Sequence, residues 1–403
     1  MVLAAVVIFV ATYFVMAVGR LPGYRLDRAG AALLGAILMV TFGVIDLKSA
    51  YQAIDGDTIA LLLGMMIVVA NLRLAGFFRL AAHWVATRAH RPLVLLSGIV
   101  LTVGVLSAFL VNDAICLVMT PLVLDLALRL KRNPVPYLMA VAMASNAGSV
   151  ATITGNPQNM IIGSLSQVPY PAFAGALAPV AIASLAVTFL LIALIYRSEF
   201  SGRLEAVEGS RLHYHAPLVM KSVVVLVAMV VLFFIGQPVA KVALLGGALL
   251  LFTRRVRPEK VYLEIDWPLL VMFGGLFVVV AAFEKAVFGG AILADVSAIP
   301  LDRVPVLALV TAVLSNIVSN VPAVLVLKPF VTALADPQRA WLVVAMASTL
   351  AGNFTLVGSV ANLIVAERAK ARGIAIDFWS YFQVGAPLTL ITLVLGTLWM
   401  MRG

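Results

Sequence analysis

Long apolar runs constrain this chain more than any other feature of its sequence. Hydrophobic residues make up 63% of the 403 positions, charged residues make up 11%, and the mean hydropathy is +1.10. Many of the runs approach the roughly 20 residues that cross a bilayer as a helix. The sequence therefore predicts an all-α polytopic membrane protein in contact with the lipid bilayer. We place its spans near 2–19, 29–46, 57–74, 137–166, 170–196, 218–236, 240–254, 267–283, 341–365 and 380–401.

In a membrane protein, a net charge of +10 usually reflects Lys and Arg in the cytoplasmic loops. We therefore expect no nucleic acid as a partner. Two further apolar segments, 93–130 and 304–335, decide how the charges are distributed. If both are re-entrant hairpins, 21 basic residues lie in loops on one side, six lie on the other, and Lys328 lies inside a segment. The positive-inside rule makes the richer side cytoplasmic. We therefore expect a multi-pass protein of the cell inner membrane, with both termini on the non-cytoplasmic side.

The chain contains an internal repeat. Residues 141–163, VAMASNAGSVATITGNPQNMIIG, align without a gap with residues 344–366, VAMASTLAGNFTLVGSVANLIVA, and nine of these 23 pairs are identical. The preceding segments, 107–122 and 315–330, match as well. Such self-similarity at a fixed offset indicates that the two halves share one structural plan.

Each half then reads as three spans, a re-entrant hairpin, a broken span and a final span. Because five crossings is an odd number, we predict two inverted-topology repeats, an arrangement typical of secondary transporters. The predicted domains are a first repeat over 1–196 with a hairpin at 93–130 and a broken helix at 137–166, a cytoplasmic linker over 197–217, and a second repeat over 218–403 with a hairpin at 304–335 and a broken helix at 341–365.

A polar, glycine-containing stretch interrupts each broken span. Free backbone groups at membrane depth are tolerated only where protein buries them or where they line a cavity. We predict breaks at Thr154–Asn159 and Val357–Asn362, with a binding site at mid-membrane. Glycines that pack helices together are the alternative interpretation, which repetition in both halves makes weaker. The predicted substrate-binding residues are Asn112, Thr152, Thr154, Gly155, Asn156, Asn159, Ser319, Asn320, Thr355, Gly358, Ser359 and Asn362.

Asp113 is the one acid deep inside the apolar segment from Leu93 to Asp125. An intramembrane carboxylate indicates a functional site by default, because its burial is costly. We predict that Asp113, together with Asn112 beside it, carries the coupling ion. The alternative is that both side chains only cap the second arm of the hairpin.

Several classes of site are excluded by what the sequence lacks. It has one cysteine, Cys116, so it forms neither an internal disulfide nor a thiolate metal cluster. It contains no HExxH motif, no Walker loop and no zinc-ligand spacing. We therefore expect no enzyme activity, no cofactor and no bound metal, and any use of ATP requires a separate ATPase subunit.

With these motifs in view, the whole chain resembles the ion transporter superfamily. The resemblance is closest to the arsenite permease (ArsB) and anion permease branch. Sodium–dicarboxylate symporters and NhaD-type antiporters are related families. It is carried by FLVNDAICLVMTPLV and SNAGSVATITGNPQNMIIG in the first half, and by SNIVSNVPAVLVL and STLAGNFTLVGSVANLIVAE in the second. This family implies outer scaffold helices, a mobile part made of the hairpins and broken helices, and an elevator-like motion.

The hairpin tips differ from those of the dicarboxylate branch, where the resemblance implies Ser-Asn-Thr at each tip. Here the tips are Val111-Asn112-Asp113 and Ser319-Asn320-Val321. An Asn-Asp tip resembles the arsenite permease branch, for which proton coupling is expected. A carboxylate that alternates between protonated and charged states suits such coupling.

These observations predict proton-coupled efflux of arsenite, antimonite or a similar small oxyanion or metalloid. A dicarboxylate or other anion symporter is the alternative, and a sodium/proton antiporter is the third. From another class, a channel is disfavoured by the paired breaks. The coupling ion is a proton, with sodium as the other candidate, and a homodimer is a further candidate assembly.

Overall fold

The computed structural model describes residues 1–19, 23–204, 214–287 and 299–402, and within them the protein is helical without β-strands. Residues 205–213 of the predicted linker lie outside the described residues. The helices of the first half are α1 (Val2–Val18), α2 (Arg28–Thr41), α3 (Leu47–Ala53), α4 (Gly56–Ala75), α5 (Phe77–Arg88), α6 (Pro92–Phe109), α7 (Asn112–Arg129), α8 (Pro134–Ser149), α9 (Pro157–Ser166) and α10 (Tyr170–Ile195). The described helices of the second half are α11 (Ala216–Phe234), α12 (Val239–Leu251), α13 (Pro258–Tyr262), α14 (Trp267–Val287), α15 (Val304–Val318), α16 (Asn320–Thr332), α17 (Pro337–Ala351), α18 (Val360–Lys370) and α19 (Phe378–Arg402).

The predicted spans coincide with these helices or with helix pairs, and the all-α membrane fold is confirmed. Among the described residues, six helices are long and apolar enough to cross a membrane: α4, α6, α10, α11, α14 and α19. Helices α1, α2, α12, α15 and α16 are apolar but shorter. The inverted orientation of the two halves stays a prediction.

Each predicted hairpin appears as two consecutive helices joined by a very short turn. Leu110 and Val111 join α6 to α7 in extended conformation. Ser319 alone joins α15 to α16, with φ at 78° and ψ at 159°. A non-glycine residue with positive φ is uncommon and persists where the surrounding structure holds it. The re-entrant course of these hairpins stays a prediction, since α6 with its 18 residues is itself long enough to span.

Both predicted broken helices are interrupted. α8 ends at Ser149 and α9 begins at Pro157, with a short 3-10 helix at Ile153–Gly155 between them. In the second half α17 ends at Ala351 and α18 begins at Val360. The two interruptions therefore occupy aligned stretches of the internal repeat.

The predicted breaks, at about Thr154–Asn159 and Val357–Asn362, overlap the observed interruptions but begin four and five residues too late, respectively. The reason is helix capping. Asn156 Oδ1 accepts a backbone N–H of α9 at 2.8 Å, and Ser359 Oγ accepts a backbone N–H of α18 at 3.2 Å. Such caps satisfy donors that a helix start leaves free, so each second half-helix begins directly after its cap.

α8 and α17, the aligned helices of the two halves, form the centre of the molecule. All residues of α8 from Tyr137 onwards are buried, and so are those of α17 from Val343 onwards. Helices α6 and α7 pack against α8, and α15 and α16 pack against α17. In addition, α2 packs on α14 and α4 packs on α12. This arrangement places both breaks and both hairpin turns next to one another.

Candidate functional site

A cavity of about 780 Å³ lies where the hairpin turns meet the helix breaks. One wall is formed by the end of α1, the start of α2 and the start of α14. The facing wall is formed by the first residues of four helices, α7, α9, α16 and α18. We call this second wall the inner wall. Because a helix N-terminus carries free N–H groups and partial positive charge, the inner wall suits oxygen atoms of a ligand.

Five of the residues predicted for the site line this cavity: Asn112, Asp113, Ser319, Asn320 and Ser359. The others are not among its lining residues: Thr152, Thr154, Gly155, Asn156, Asn159, Thr355, Gly358 and Asn362. The structure thus brings the two hairpin tips and the second break together at one cavity. It separates from the cavity most of the side chains of the first break.

Each of the two tip asparagines has an amide oxygen without a partner. Asn112 and Asn320 are 3% and 8% exposed, and the Oδ1 atom of each is buried without a hydrogen-bond partner among the described residues. A buried polar atom without a partner is destabilising by about 1–3 kcal/mol. Both asparagines lie at matching tip positions and line the cavity, so each tip has an amide oxygen that is free to accept a hydrogen bond.

Asn146 holds the first tip to the second break, and sequence reasoning missed it. Its Oδ1 accepts from Asn112 Nδ2 at 3.1 Å and from Ser359 Oγ at 3.2 Å. Its Nδ2 donates to Asn353 Oδ1 at 2.9 Å and to Asn362 Oδ1 at 3.1 Å. All four bonding positions of this buried amide are therefore used.

Thr349 occupies the aligned position in the second half and bonds to the first break. Its Oγ1 accepts from Asn156 Nδ2 at 3.1 Å and from Gln158 Nε2 at 3.2 Å. Each central helix thus holds the break of the other half. The available signal was that Asn146 and Thr349 are aligned polar residues inside the repeated segment.

Asn159 and Asn362 play matching parts within the breaks. Asn159 Nδ2 donates to the carbonyl oxygens ten and seven residues before it, both at 3.0 Å. Asn362 Nδ2 donates to the carbonyl oxygens at the same two offsets, at 2.7 and 3.1 Å. These bonds close the non-helical backbone of each break on itself. Both side chains therefore shape the breaks.

The remaining break residues have partners inside the protein. Thr152 Oγ1 donates to the carbonyl of Ala108, and Thr154 Oγ1 lies 3.0 Å from the hydroxyl of Tyr170. A side chain on Gly155 would overlap the carbonyl of Ser149.

In the second break, a Cβ on Gly358 would lie 3.0 Å from Asn316 Oδ1. The backbone carbonyl of Thr355 accepts from Asn362 Nδ2. The predicted substrate contacts of the break residues away from the cavity stay predictions.

Charge is distributed unevenly around the cavity. Four carboxylates line it, those of Asp27, Asp113, Asp266 and Glu367, and Arg28 is the one cationic side chain among the described lining residues. The formal balance is four negative against one positive, or −3. Three of these side chains are exposed, those of Asp27, Asp266 and Glu367, whereas Asp113 is partly buried at the hairpin tip. The lining as a whole is therefore acidic, and its one described cationic side chain, Arg28, lies on the wall formed by α1, α2 and α14.

Asp113 also borders a second cavity of about 80 Å³. This cavity is also lined by Asp266, Arg73 and Glu264. Arg73 Nη1 and Glu264 Oε2 form an ion pair. No group of three or more His, Cys, Asp or Glu side chains suited to a metal occurs among the described residues. Cys116 Sγ lies 2.9 Å from Ser145 Oγ in the core and does not line the larger cavity.

Comparison with known proteins decides what kind of protein contains this cavity. Residues 6–351 match the model of the citrate transporter family. The chain belongs to that family. The silicon efflux transporter of rice (Oryza sativa subsp. japonica) is 30% identical over 93% of this chain and 92% of its own. A putative arsB transporter of Dictyostelium discoideum is 25% identical over 92% of this chain and 86% of its own.

The fold has a solved relative as well. The YdaH transporter of Alcanivorax borkumensis superposes with a TM-score of 0.60 over 100% of this chain and 97% of that chain, at 14% identity. As a member of the citrate transporter family, the protein is a secondary transporter of the anion-transporter type in a membrane, and it is not an enzyme. The resemblance to the ArsB branch of the ion transporter superfamily is confirmed.

Proposed function

We propose that this protein exports small uncharged hydroxylated metalloids, with arsenite and antimonite as substrates, in exchange for protons. The observation that carries the proposal is the chemistry of the inner wall. It offers the free amide oxygens of Asn112 and Asn320 together with the hydroxyls of Ser319 and Ser359. Amide oxygens accept hydrogen bonds, and the O–H groups of a neutral hydroxide donate them.

The charge of the lining supports a neutral substrate. A carboxylate substrate taken out of water needs a cationic partner, because an unpaired buried charge is strongly disfavoured. Arg28, at the start of α2, is the one cationic side chain of the described lining, and it lies on the other wall from the hairpin tip that carries Asp113. A molecule without charge meets no repulsion from this carboxylate. The names of the rice and Dictyostelium relatives, silicon efflux and arsB, agree with such a substrate class.

Asp113 is the group that we assign to proton coupling. Its carboxyl group can exchange a proton with the cavity, since the side chain is partly exposed there. Protonation removes the charge that would oppose movement through the membrane. The hairpin tips and half-helices then move as one body against the outer helices, in an elevator-like cycle. Asn112 keeps this tip attached to Asn146 throughout the movement.

The proposal includes location and direction. The protein lies in the cell inner membrane, with both termini on the non-cytoplasmic side, and moves its substrate out of the cytoplasm. The mouth residues Asp27, Asp266 and Glu367 belong to the loops that are rich in basic residues, which the positive-inside rule assigns to the cytoplasm. The cavity then opens inward.

The first experiment measures arsenite accumulation in cells stripped of their own arsenite exporters, with and without this protein. We expect lower accumulation in cells that express it, and restored accumulation when a protonophore removes the proton gradient. Unchanged accumulation, with the protein detected in the membrane, would contradict the proposed substrate. Export that persists with the protonophore would contradict proton coupling.

Replacing Asp113 tests the coupling group itself. We expect Asp113→Asn to lower pH-gradient-driven arsenite transport at least tenfold, because an amide keeps the shape of the side chain but cannot bind and release a proton. The measurement is initial transport rate in proteoliposomes with an imposed pH gradient.

The matched control is Asp57→Asn, since Asp57 is an exposed acid in the first turn of α4 and lies outside the lining of the cavity. We expect this variant to retain the rate of the unmodified protein. A normal rate in Asp113→Asn would remove the coupling role from Asp113.

A citrate-type anion symporter is the second candidate. The four helix N-termini at the cavity and the guanidinium of Arg28 favour anionic oxygens. The description of the family as citrate transporters points the same way. Uptake of labelled citrate driven by a sodium or proton gradient, in the same proteoliposomes, distinguishes the two. Citrate uptake without arsenite transport would favour this candidate.

A further inference from the structure

Gln158 lines the cavity, although the sequence analysis did not predict it as a site residue. It is the second residue of α9, and its side chain is 4% exposed and lines the 780 Å³ cavity. The aligned residue of the second half is Ala361, which has no polar side chain. This amide is therefore a feature of one half and breaks the chemical symmetry of the inner wall.

Contacts on one side of Gln158 set the orientation of its amide group. Its Nε2 donates to Thr349 Oγ1 at 3.2 Å. Thr349 is itself fully buried in α17 and also accepts from Asn156 Nδ2. With the nitrogen held against α17, the Oε1 atom at the other corner of the amide is left for the cavity.

Two further amide side chains belong to residues that line the same cavity. Asn112 and Asn320 line it, and the Oδ1 atom of each is without a hydrogen-bond partner among the described residues. Three amide side chains, one from each hairpin tip and one from the start of α9, therefore belong to one wall. Trivalent metalloid hydroxides carry three O–H donors and no charge.

We infer that Gln158 is a specificity-determining residue, whose Oε1 accepts a hydrogen bond from an O–H group of an uncharged metalloid hydroxide. The inference rests on the proposed function, since it assigns an atom of this chain to that substrate. Asn112 and Asn320 supply the acceptors at the tips, and Gln158 supplies the acceptor on the first break. A site built to accept from O–H groups discriminates against species that lack them, because its buried oxygens are then left unpaired.

The test compares Gln158→Leu, Gln158→Glu and the unmodified protein in proteoliposomes, by initial rates over a range of arsenite concentrations. Leu removes the acceptor at similar size, so we expect KM to rise about tenfold, the factor that corresponds to about 1.4 kcal/mol, while the maximal rate changes less than twofold. Because a carboxyl group buried here without a cationic partner binds a proton, Glu keeps an acceptor oxygen and donates its O–H to Thr349 Oγ1. We therefore expect KM of Gln158→Glu within about threefold of the unmodified value.

Gln383→Leu is the matched control, because it makes the same chemical change at an exposed position on α19 that does not line the cavity. Its KM should equal that of the unmodified protein. An unchanged KM in Gln158→Leu would overturn the inference. An equal rise of KM in the Leu and Glu variants would overturn it as well, since Glu keeps the acceptor oxygen that Leu lacks.

Failure of the proposed function gives a different result. In that case the unmodified protein transports no arsenite, and arsenite does not protect it from thermal unfolding in detergent. Arsenite transport by the unmodified protein, combined with either of the contrary Gln158 results, would leave the proposed function standing and remove this inference alone.

Discussion

At the scale of single residues, buried amides organise the centre of this protein. Asn146 is 1% exposed and uses both its oxygen and its nitrogen in bonds that reach the first tip and the second break. A buried amide without partners is destabilising, whereas one with all its bonds made holds its neighbours in a single arrangement. The tip asparagines were predictable from their repeated pattern. Asn146 was not, because three of its four partners lie more than 200 residues away in the chain.

Asn146→Ala should destabilise the protein markedly. The substitution leaves four polar groups of its neighbours without this partner, and each buried unsatisfied group is destabilising by about 1–3 kcal/mol, partly relieved by water from the cavity. We expect a loss of about 3 kcal/mol or more in the free energy of unfolding, on the basis of the same values. Thermal unfolding of purified protein in detergent measures it.

Gln237→Ala is the control for this prediction, since Gln237 is an exposed amide between α11 and α12. It should unfold at the temperature of the unmodified protein. If Asn146→Ala also unfolds at the temperature of the unmodified protein, the four hydrogen bonds of Asn146 are not important for stability.

At the scale of elements, close helix crossings and side-chain caps position the breaks. α6 and α8 approach so closely at Gly104 and Gly148 that a Cβ on Gly148 would overlap the Gly104 backbone. Small residues at such crossings let helix backbones touch, which is how helices associate in a membrane. The helices were predictable from apolar runs. The starts of α9 and α18 depended on the caps Asn156 and Ser359, so the breaks were predicted too late.

Gly148→Ala tests the close crossing of α6 and α8. The added methyl group meets backbone atoms, which cannot rotate away as a side chain can, so the helices must separate. Overpacking of this kind is destabilising by about 1–3 kcal/mol and sometimes more. We expect a lower unfolding temperature in detergent and a lower transport rate, because α8 carries Asn146.

The control is Gly175→Ala, since Gly175 is exposed in α10 and a Cβ there would meet nothing within 4 Å. Alanine has the higher helix propensity, so this variant should be as stable as the unmodified protein or slightly more stable. Equal stability of both variants would contradict the crossing at Gly148.

At the scale of the whole molecule, the cavity lies between two groups of helices that we expect to move against each other. Helices α1, α2 and α14 supply one wall, and the hairpin turns and breaks supply the other. Away from the cavity, an ion pair joins the two groups: Lys328 Nζ of α16 lies 3.5 Å from Glu284 Oε2 of α14. An elevator-like cycle requires these two helices to slide past each other.

A cross-link between α14 and α16 should therefore stop transport. We expect cysteines at positions 284 and 328, joined by a short bis-maleimide, to abolish arsenite transport in a Cys116→Ser background. The measurement is the transport rate before and after treatment, with cross-linking followed by mass spectrometry. The single-cysteine variants treated with the same reagent should keep their rates. Full transport by the cross-linked protein would show that α14 and α16 do not move relative to each other.

The sequence by itself determined the class of the protein, the positions of its helices, the two interruptions and the polar tips. Apolar run length and the internal repeat are local patterns, and they are readable without a partner. Only the tertiary structure decided which polar residues share the cavity. It joined Asn146 and Thr349 to the breaks of the opposite halves and turned Thr152 and Thr154 into the core. The physical reason is that each side-chain hydrogen bond depends on groups brought from distant parts of the chain, which no local pattern encodes.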